Sequence, residues 1–189
     1  MGGRLAPRHN RAMGIVTARR DFLKIGGGSM ILASIGGSLV WCLPAEAAAV
    51  QAEFRTLSAA DGTLLAAFAE AIVPGAADAG CAHFIDHHVG VAPAESLLSL
   101  RYLDVAPPYA AFYGAGLAAL RQLAGPHPDW DATIRRLQAP SLAGWQGPPP
   151  GLFYFAVRSD AVDAVYGTRA GFKRLGIEYL AHIEPETDW

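Results

Sequence analysis

The body of this chain is predicted to be all-α: a small irregular domain of about five helices with an extended apolar C-terminal segment. Three observations predict it. Apolar residues recur at helical spacing and no stretch shows sustained alternation. Prolines and glycines fall where those periodic runs stop, as helix punctuation does. The last 23 residues, Gly167 to Trp189, are cut by three glycines and Pro185 yet stay rich in large apolar side chains, so they form no long amphipathic helix.

The first helix of the body is the clearest. Ser58 and Asp61 form a capping signature, Leu64, Leu65, Phe68 and Ile72 share one face, and Pro74-Gly75 ends the run. A shorter helix spans Ala79 to Val89 with Cys81, Phe84, Ile85 and His88 inward. Pro93 opens a short element carrying Leu97, Leu98 and Leu100. After Pro107-Pro108 a broad stripe of Tyr109, Phe112, Tyr113, Leu117, Leu120 and Leu123 runs to Gly125-Pro126. Pro128 and Asp129 start a modest helix with Trp130, Ile134 and Leu137 on one side and Arg135 and Arg136 outward. The connector from Gly147 to Gly151 is read as non-helical because of its three prolines. The last helix selects Leu152, Phe155, Ala156, Ser159, Val162, Val165 and Tyr166 as its apolar positions.

Ahead of this body stands Thr17-Ala18-Arg19-Arg20-Asp21-Phe22-Leu23-Lys24, followed by a glycine-diluted apolar run from Ile25 to Trp41. Adjacent arginines before a mildly apolar segment make a twin-arginine export signal, an address read by the translocase for folded proteins. Its export residues are Arg19, Arg20, Phe22, Leu23 and Lys24. The apolar core of about 16 residues falls short of the roughly 20 that span a bilayer. Ala45-Glu46-Ala47 offers small residues at Ala45 and Ala47 for cleavage. The expected organisation is thus a leader, 1–47, and a helical domain, 48–189, with translation starting at Met1 or Met13. Cys42 invites a lipoprotein reading, which the bulk of Trp41 opposes.

Charge divides at that boundary. Six of fifteen Lys and Arg lie in the leader, and fifteen of seventeen Asp and Glu lie beyond it, so the mature part carries 9 − 15 = −6. A phosphate-backbone binder needs clustered positive charge, so nucleic acid is not an expected partner. Only Cys81 would survive cleavage, and a single thiol forms no intramolecular disulfide; it is expected to be buried as a small hydrophobe, the alternative being a bond to another chain.

The chemistry available is sparse. The sequence holds no Cys-x-x-Cys-His for haem, no cysteine set for an iron–sulfur cluster, no dinucleotide fingerprint after a strand, and no nucleophile elbow or P-loop. One cluster stands out: Cys81, His83, Asp86, His87 and His88. His83 and His87 are four apart and share a helix face, the spacing that lets two imidazoles share a metal. Against this stands a polar helix face, or histidines bonded at a subunit boundary; the isolated His127 and His182 are expected to be structural. Asp160 with Asp163, and Glu184 with Glu186, are read as solvated charge. No catalytic, cofactor-binding or metal residue is assigned.

The leader, Leu64 to Pro74, Phe84-Ile85-Asp86, Tyr113 to Leu120, Val157-Arg158-Ser159-Asp160 and Tyr166-Gly167-Thr168, in that order, resemble the gluconate 2-dehydrogenase subunit 3 family. These are the small (gamma) subunits of membrane-bound FAD-dependent sugar and sugar-acid dehydrogenases. The likeness covers the leader and, in patches, most of the rest. The chain departs from it after Tyr166-Gly167, continuing Thr168 to Gly176 where many relatives have a glycine- and asparagine-rich turn. The resemblance implies a non-catalytic, periplasmic subunit, tied to the cytoplasmic membrane through its complex. It implies no cofactor in this chain, with FAD on a large flavoprotein partner and haem c on a multihaem cytochrome. The small subunit would be the export escort of the flavoprotein. From the residues themselves, the irregular apolar tail must lie against its own domain or a partner subunit, and the partner reading makes Phe172, Leu175, Ile177, Tyr179, Leu180, Ile183 and Trp189 its interface. The alternative is a stand-alone exported helical protein binding a metal at His83 and His87.

Overall fold

In the computed structural model of the chain, residues 30–178 are described. They are mostly helical, with one two-stranded sheet. The sheet corrects the all-α expectation. Strands β1 (Ile31–Ile35) and β2 (Ser38–Cys42) pair antiparallel, with Ile31 opposite Cys42 and Ala33 opposite Val40. Gly36 and Gly37 make the two-residue turn, both at positive φ (57° and 77°), the conformation that lets a tight hairpin match strand twist. Ile31, Ala33 and Cys42 turn into the core, while Leu39 and Trp41 face out. This is the segment read as the apolar core of a leader, and its glycine pair is a hairpin turn.

Helix α1 (Pro44–Ala49) follows directly, opened by Pro44 and by Glu46, whose carboxylate accepts from the Leu43 N–H at 2.9 Å. Helix α2 (Ala59–Ile72) starts as expected: Ser58 accepts from the Asp61 N–H at 3.1 Å. It buries Leu65, Phe68 and Ala69, with Leu64 and Ile72 half-buried beside them. The Glu70 carboxylate then accepts from the Gly75 and Ala77 N–H groups, both at 2.9 Å, closing the turn after the helix. Those backbone donors hold Glu70 below the ordinary carboxylate range.

Helix α3 (Cys81–Val89) is the centre of the fold, since every one of its residues except His83 is buried. It meets β1, α1, α2 and two later helices. Its start demands Gly80: φ is +75°, and a Cβ there would lie 2.0 Å from the Pro44 carbonyl oxygen. The Pro93 element is a single 3-10 turn, Ser99–Tyr102, with Leu98 and Leu100 fully buried and Leu97 exposed.

Helix α4 (Tyr109–Ala124) buries Tyr109, Tyr113, Leu117 and Leu120 and stops at Gly125, where φ is +66°. Helix α5 (Trp130–Leu137) is capped by Asp129, which accepts from the Ala132 N–H at 2.9 Å. Helix α6 (Pro150–Tyr166) begins inside the proline run expected to exclude a helix. Proline is harmless there, because the first helical N–H has no partner to lose. Its buried face is Phe153, Ala156, Val157, Asp160, Ala161 and Val165, rotated from the predicted one; Phe155 is exposed. Phe153 stands at the centre of an aromatic cluster, with ring centroids of Phe68, Phe112, Tyr113 and Trp145 within 5.9–6.3 Å. Helix α7 (Arg169–Arg174), capped by Thr168, is the last helix among the described residues.

Candidate functional site

Arg19, Arg20, Phe22, Leu23 and Lys24 lie outside the described residues, as do Tyr179, Leu180, Ile183, His182, Glu184, Glu186 and Trp189. The proposed cleavage residues lie inside α1. Ala47 is fully buried, its N–H bonded to the Leu43 carbonyl at 3.1 Å and its carbonyl accepting from the Ala52 N–H at 2.9 Å. The described part of the tail is half-buried at Phe172 and exposed at Leu175 and Ile177, each 53% accessible. Two large exposed apolar side chains separated by one residue suit a covered surface.

The histidine cluster divides instead of converging. His83 stacks on Phe54 (centroids 4.6 Å apart) and its Nε2 lies 3.0 Å from the Ala52 carbonyl oxygen. Phe54 in turn fills the space over Gly62, where a Cβ would meet the ring at 2.2 Å. His87 points the other way and takes the Leu32 N–H on Nδ1 at 3.3 Å, with Trp41 edge-on at 5.8 Å. Asp86 caps a loop: its carboxylate accepts from the backbone N–H groups of Arg55, Thr56 and Leu57 at 2.7–2.8 Å. His88 is buried against Phe84, accepts the Leu97 N–H on Nδ1 at 3.4 Å, and leaves Nε2 without a hydrogen-bond partner among the described residues. Burial, with His87 beside it, lowers its pKa to about 4. Among the described residues no group of three or more His, Cys, Asp or Glu is placed to hold a metal ion.

A second polar cluster was read from sequence as solvated charge, and the structure corrects that for Asp160. Asp160 is completely buried on α6. Its carboxylate accepts from the Tyr113 hydroxyl of α4 and, at 2.8 Å, from the Ser99 N–H that opens the 3-10 turn. Burial raises its pKa to about 6, against the pull of the two donors. The Tyr113 hydroxyl is pushed up by burial and by the carboxylate beside it. Cys81 is fully buried, as expected, and its thiol is likewise pushed up by burial and then by Asp160. Asp160 stands on the same helical face as the buried Phe153, Ala156 and Val157. A sealed carboxylate with both oxygens engaged ties three elements together, and no solvent-facing atom remains to meet a substrate.

An open cleft of about 610 Å³ lies between the start of α1, the turn that leads into α3 and the junction of α6 and α7. Ala45, Phe84, Leu97 and Val165 give it an apolar floor, and Asp163 and Arg174 stand among its lining residues. Burial raises the Asp163 pKa. The chain passes from this wall directly to exposed Leu175 and Ile177. Among the described residues no helix is long and apolar enough to cross a membrane. No protein-family model, curated protein or solved structure matches the chain.

Proposed function

We propose that this chain is the non-catalytic small subunit of a periplasmic FAD-dependent sugar or sugar-acid dehydrogenase. It escorts the flavoprotein through the twin-arginine route and stays bound to it, with a multihaem cytochrome c completing the membrane-associated complex. The observation that carries the reading is the pair Arg19-Arg20 set ahead of a body whose two buried acids among the described residues, Asp86 and Asp160, are both engaged by internal donors. An address for folded cargo is useful to a partner that must load FAD before it crosses the membrane. The apolar run that begins with exposed Leu175 and Ile177 and continues in sequence through Tyr179, Leu180, Ile183 and Trp189 supplies the surface for that partner.

The test replaces both arginines, Arg19→Lys with Arg20→Lys, in cells that also make the flavoprotein. Dehydrogenase activity is expected to remain in the cytoplasm with its FAD bound. Undiminished periplasmic activity in the double variant would overturn the escort reading.

A further inference from the structure

We infer that residues 31–47 are a permanent part of the folded domain, so that no cut is made after Ala47. The inference goes beyond the escort reading and is independent of which cargo is carried. The same residues cannot be both an expendable leader and the wall of the core. Ile31 (1% exposed), Ala33 (3%), Cys42 (6%) and Ala47 (0%) belong to one continuous apolar cluster with Phe68, Cys81 and Ile85.

Three sets of polar contacts fasten β1 to the body. The Glu53 N–H donates to the Ser34 carbonyl at 3.1 Å, extending the sheet edge by one bridge. The Arg55 guanidinium donates to the Leu32 carbonyl at 3.2 Å, and the Leu32 N–H donates to His87 Nδ1 at 3.3 Å. Arg55 is itself fixed through its backbone N–H by Asp86. At the other end, Gly80 brings its backbone against the Pro44 carbonyl so closely that no side chain fits between α1 and α3.

A protease draws its substrate out as an extended strand, and Ala47 is helical, buried and hydrogen-bonded on both its N–H and its carbonyl. Cutting there requires the hairpin and α1 to leave the core first. A domain beginning at residue 48 would uncover the sides of α3 against which β1 and α1 pack.

The experiment uses the purified full-length chain. An elastase-type protease, which favours small residues, is offered the run Ala45 to Ala49. Cutting there is expected to be at least about 100-fold slower than in a free peptide spanning residues 40–55, as local opening must come first. Equal rates would overturn the inference. Hydrogen exchange provides a second reading on the unaltered chain: the paired amides of 31–42 are expected to be protected alongside those of α3, and exchange at unfolded-chain rates would overturn it. In Gly80→Val the added side chain displaces α1, and cutting at 45–49 is expected to accelerate. In a host that exports the chain, intact mass is expected to place the N-terminus at or before residue 30; an N-terminus at any later residue, Ala48 included, would overturn it.

Discussion

The Tyr113 hydroxyl donates to the Asp160 carboxylate across the contact between α4 and α6, with neither side chain exposed to solvent. The same carboxylate holds the Ser99 N–H, so one acid fixes two helices and a 3-10 turn. A polar tie of this kind adds specificity to a core at an energetic cost, because an ionised group has been taken out of water.

That cost has a definite sign with pH. Asp160 titrates near 6 in the fold, above its ordinary 3.8, so the native state binds the proton more tightly than the unfolded chain. Its contribution therefore favours the fold below about pH 4 and is lost as pH rises through about 6, an effect on the order of 3 kcal/mol at most. Asp160→Asn removes the titration and keeps one acceptor. Denaturant midpoints at pH 4.5 and 7.5 are expected to show the variant within about 1 kcal/mol of the parent at the higher pH, with this part of the pH slope gone. Asp160→Ala, which orphans the Tyr113 hydroxyl and the Ser99 N–H, is expected to lose about 2 kcal/mol or more at pH 7.5 and more than that at pH 4.5, where the titration it removes still favours the parent.

His88 works against it. Its Nδ1 accepts from Leu97, so the neutral ring carries its proton on Nε2, where the described residues give it no acceptor. With a folded pKa of about 4, against an ordinary 6.5, the unfolded chain binds a proton that the native one does not. Stability from this residue is full above about pH 6.5 and is lost as pH falls toward 4, by roughly 1–3 kcal/mol. His87, lowered by burial and then by Arg55, acts in the same direction. His88→Asn retains an acceptor for the Leu97 N–H and cannot titrate. Its midpoint is expected to fall less than the parent's between pH 6.5 and 4.5.

Asp86 anchors the loop that in turn anchors the hairpin. Three backbone donors converge on its carboxylate. Asp86→Ala leaves all three without it and is expected to cost about 3–5 kcal/mol in urea unfolding. Asp86→Asn keeps one acceptor oxygen and is expected to cost about half as much. Hydrogen exchange of residues 31–35 is expected to quicken in both, since the Arg55 contact to Leu32 loses its support.

The helices were legible because their ends carry local chemistry. Ser58 with Asp61, Asp129, and the glycines at 75 and 125 mark termini that the structure reproduces to within three residues. The buried face of α6 was not legible, since Leu152, Phe153, Tyr154, Phe155 and Val157 are apolar all round the helix and periodicity cannot choose among them. The hairpin was missed for a different reason. Gly36-Gly37 between two apolar runs is a hairpin signal, but five-residue strands carry little alternation and the arginine pair upstream gave the same glycines another meaning. Asp86 and Asp160 show the common difficulty with acids: their donors come from backbone at 55–57 and at 99, far away in sequence.

Helix α4 contains a paired test of packing against propensity. Gly114 and Gly116 are two residues apart in one helix, and each lowers helix stability through backbone entropy. At Gly114 an added Cβ meets nothing within 4 Å, whereas at Gly116 it would lie 2.3 Å from the Phe153 ring. Gly114→Ala is therefore expected to stabilise the protein by about 0.5–1 kcal/mol. Gly116→Ala must move Phe153, the ring on which Phe68, Phe112, Tyr113 and Trp145 converge, and its expected net loss is about 1–3 kcal/mol. Thermal midpoints of the two variants, shifting in opposite directions, check the placement of α4 on α6. Equal upward shifts would mean that the two helices do not meet at Gly116.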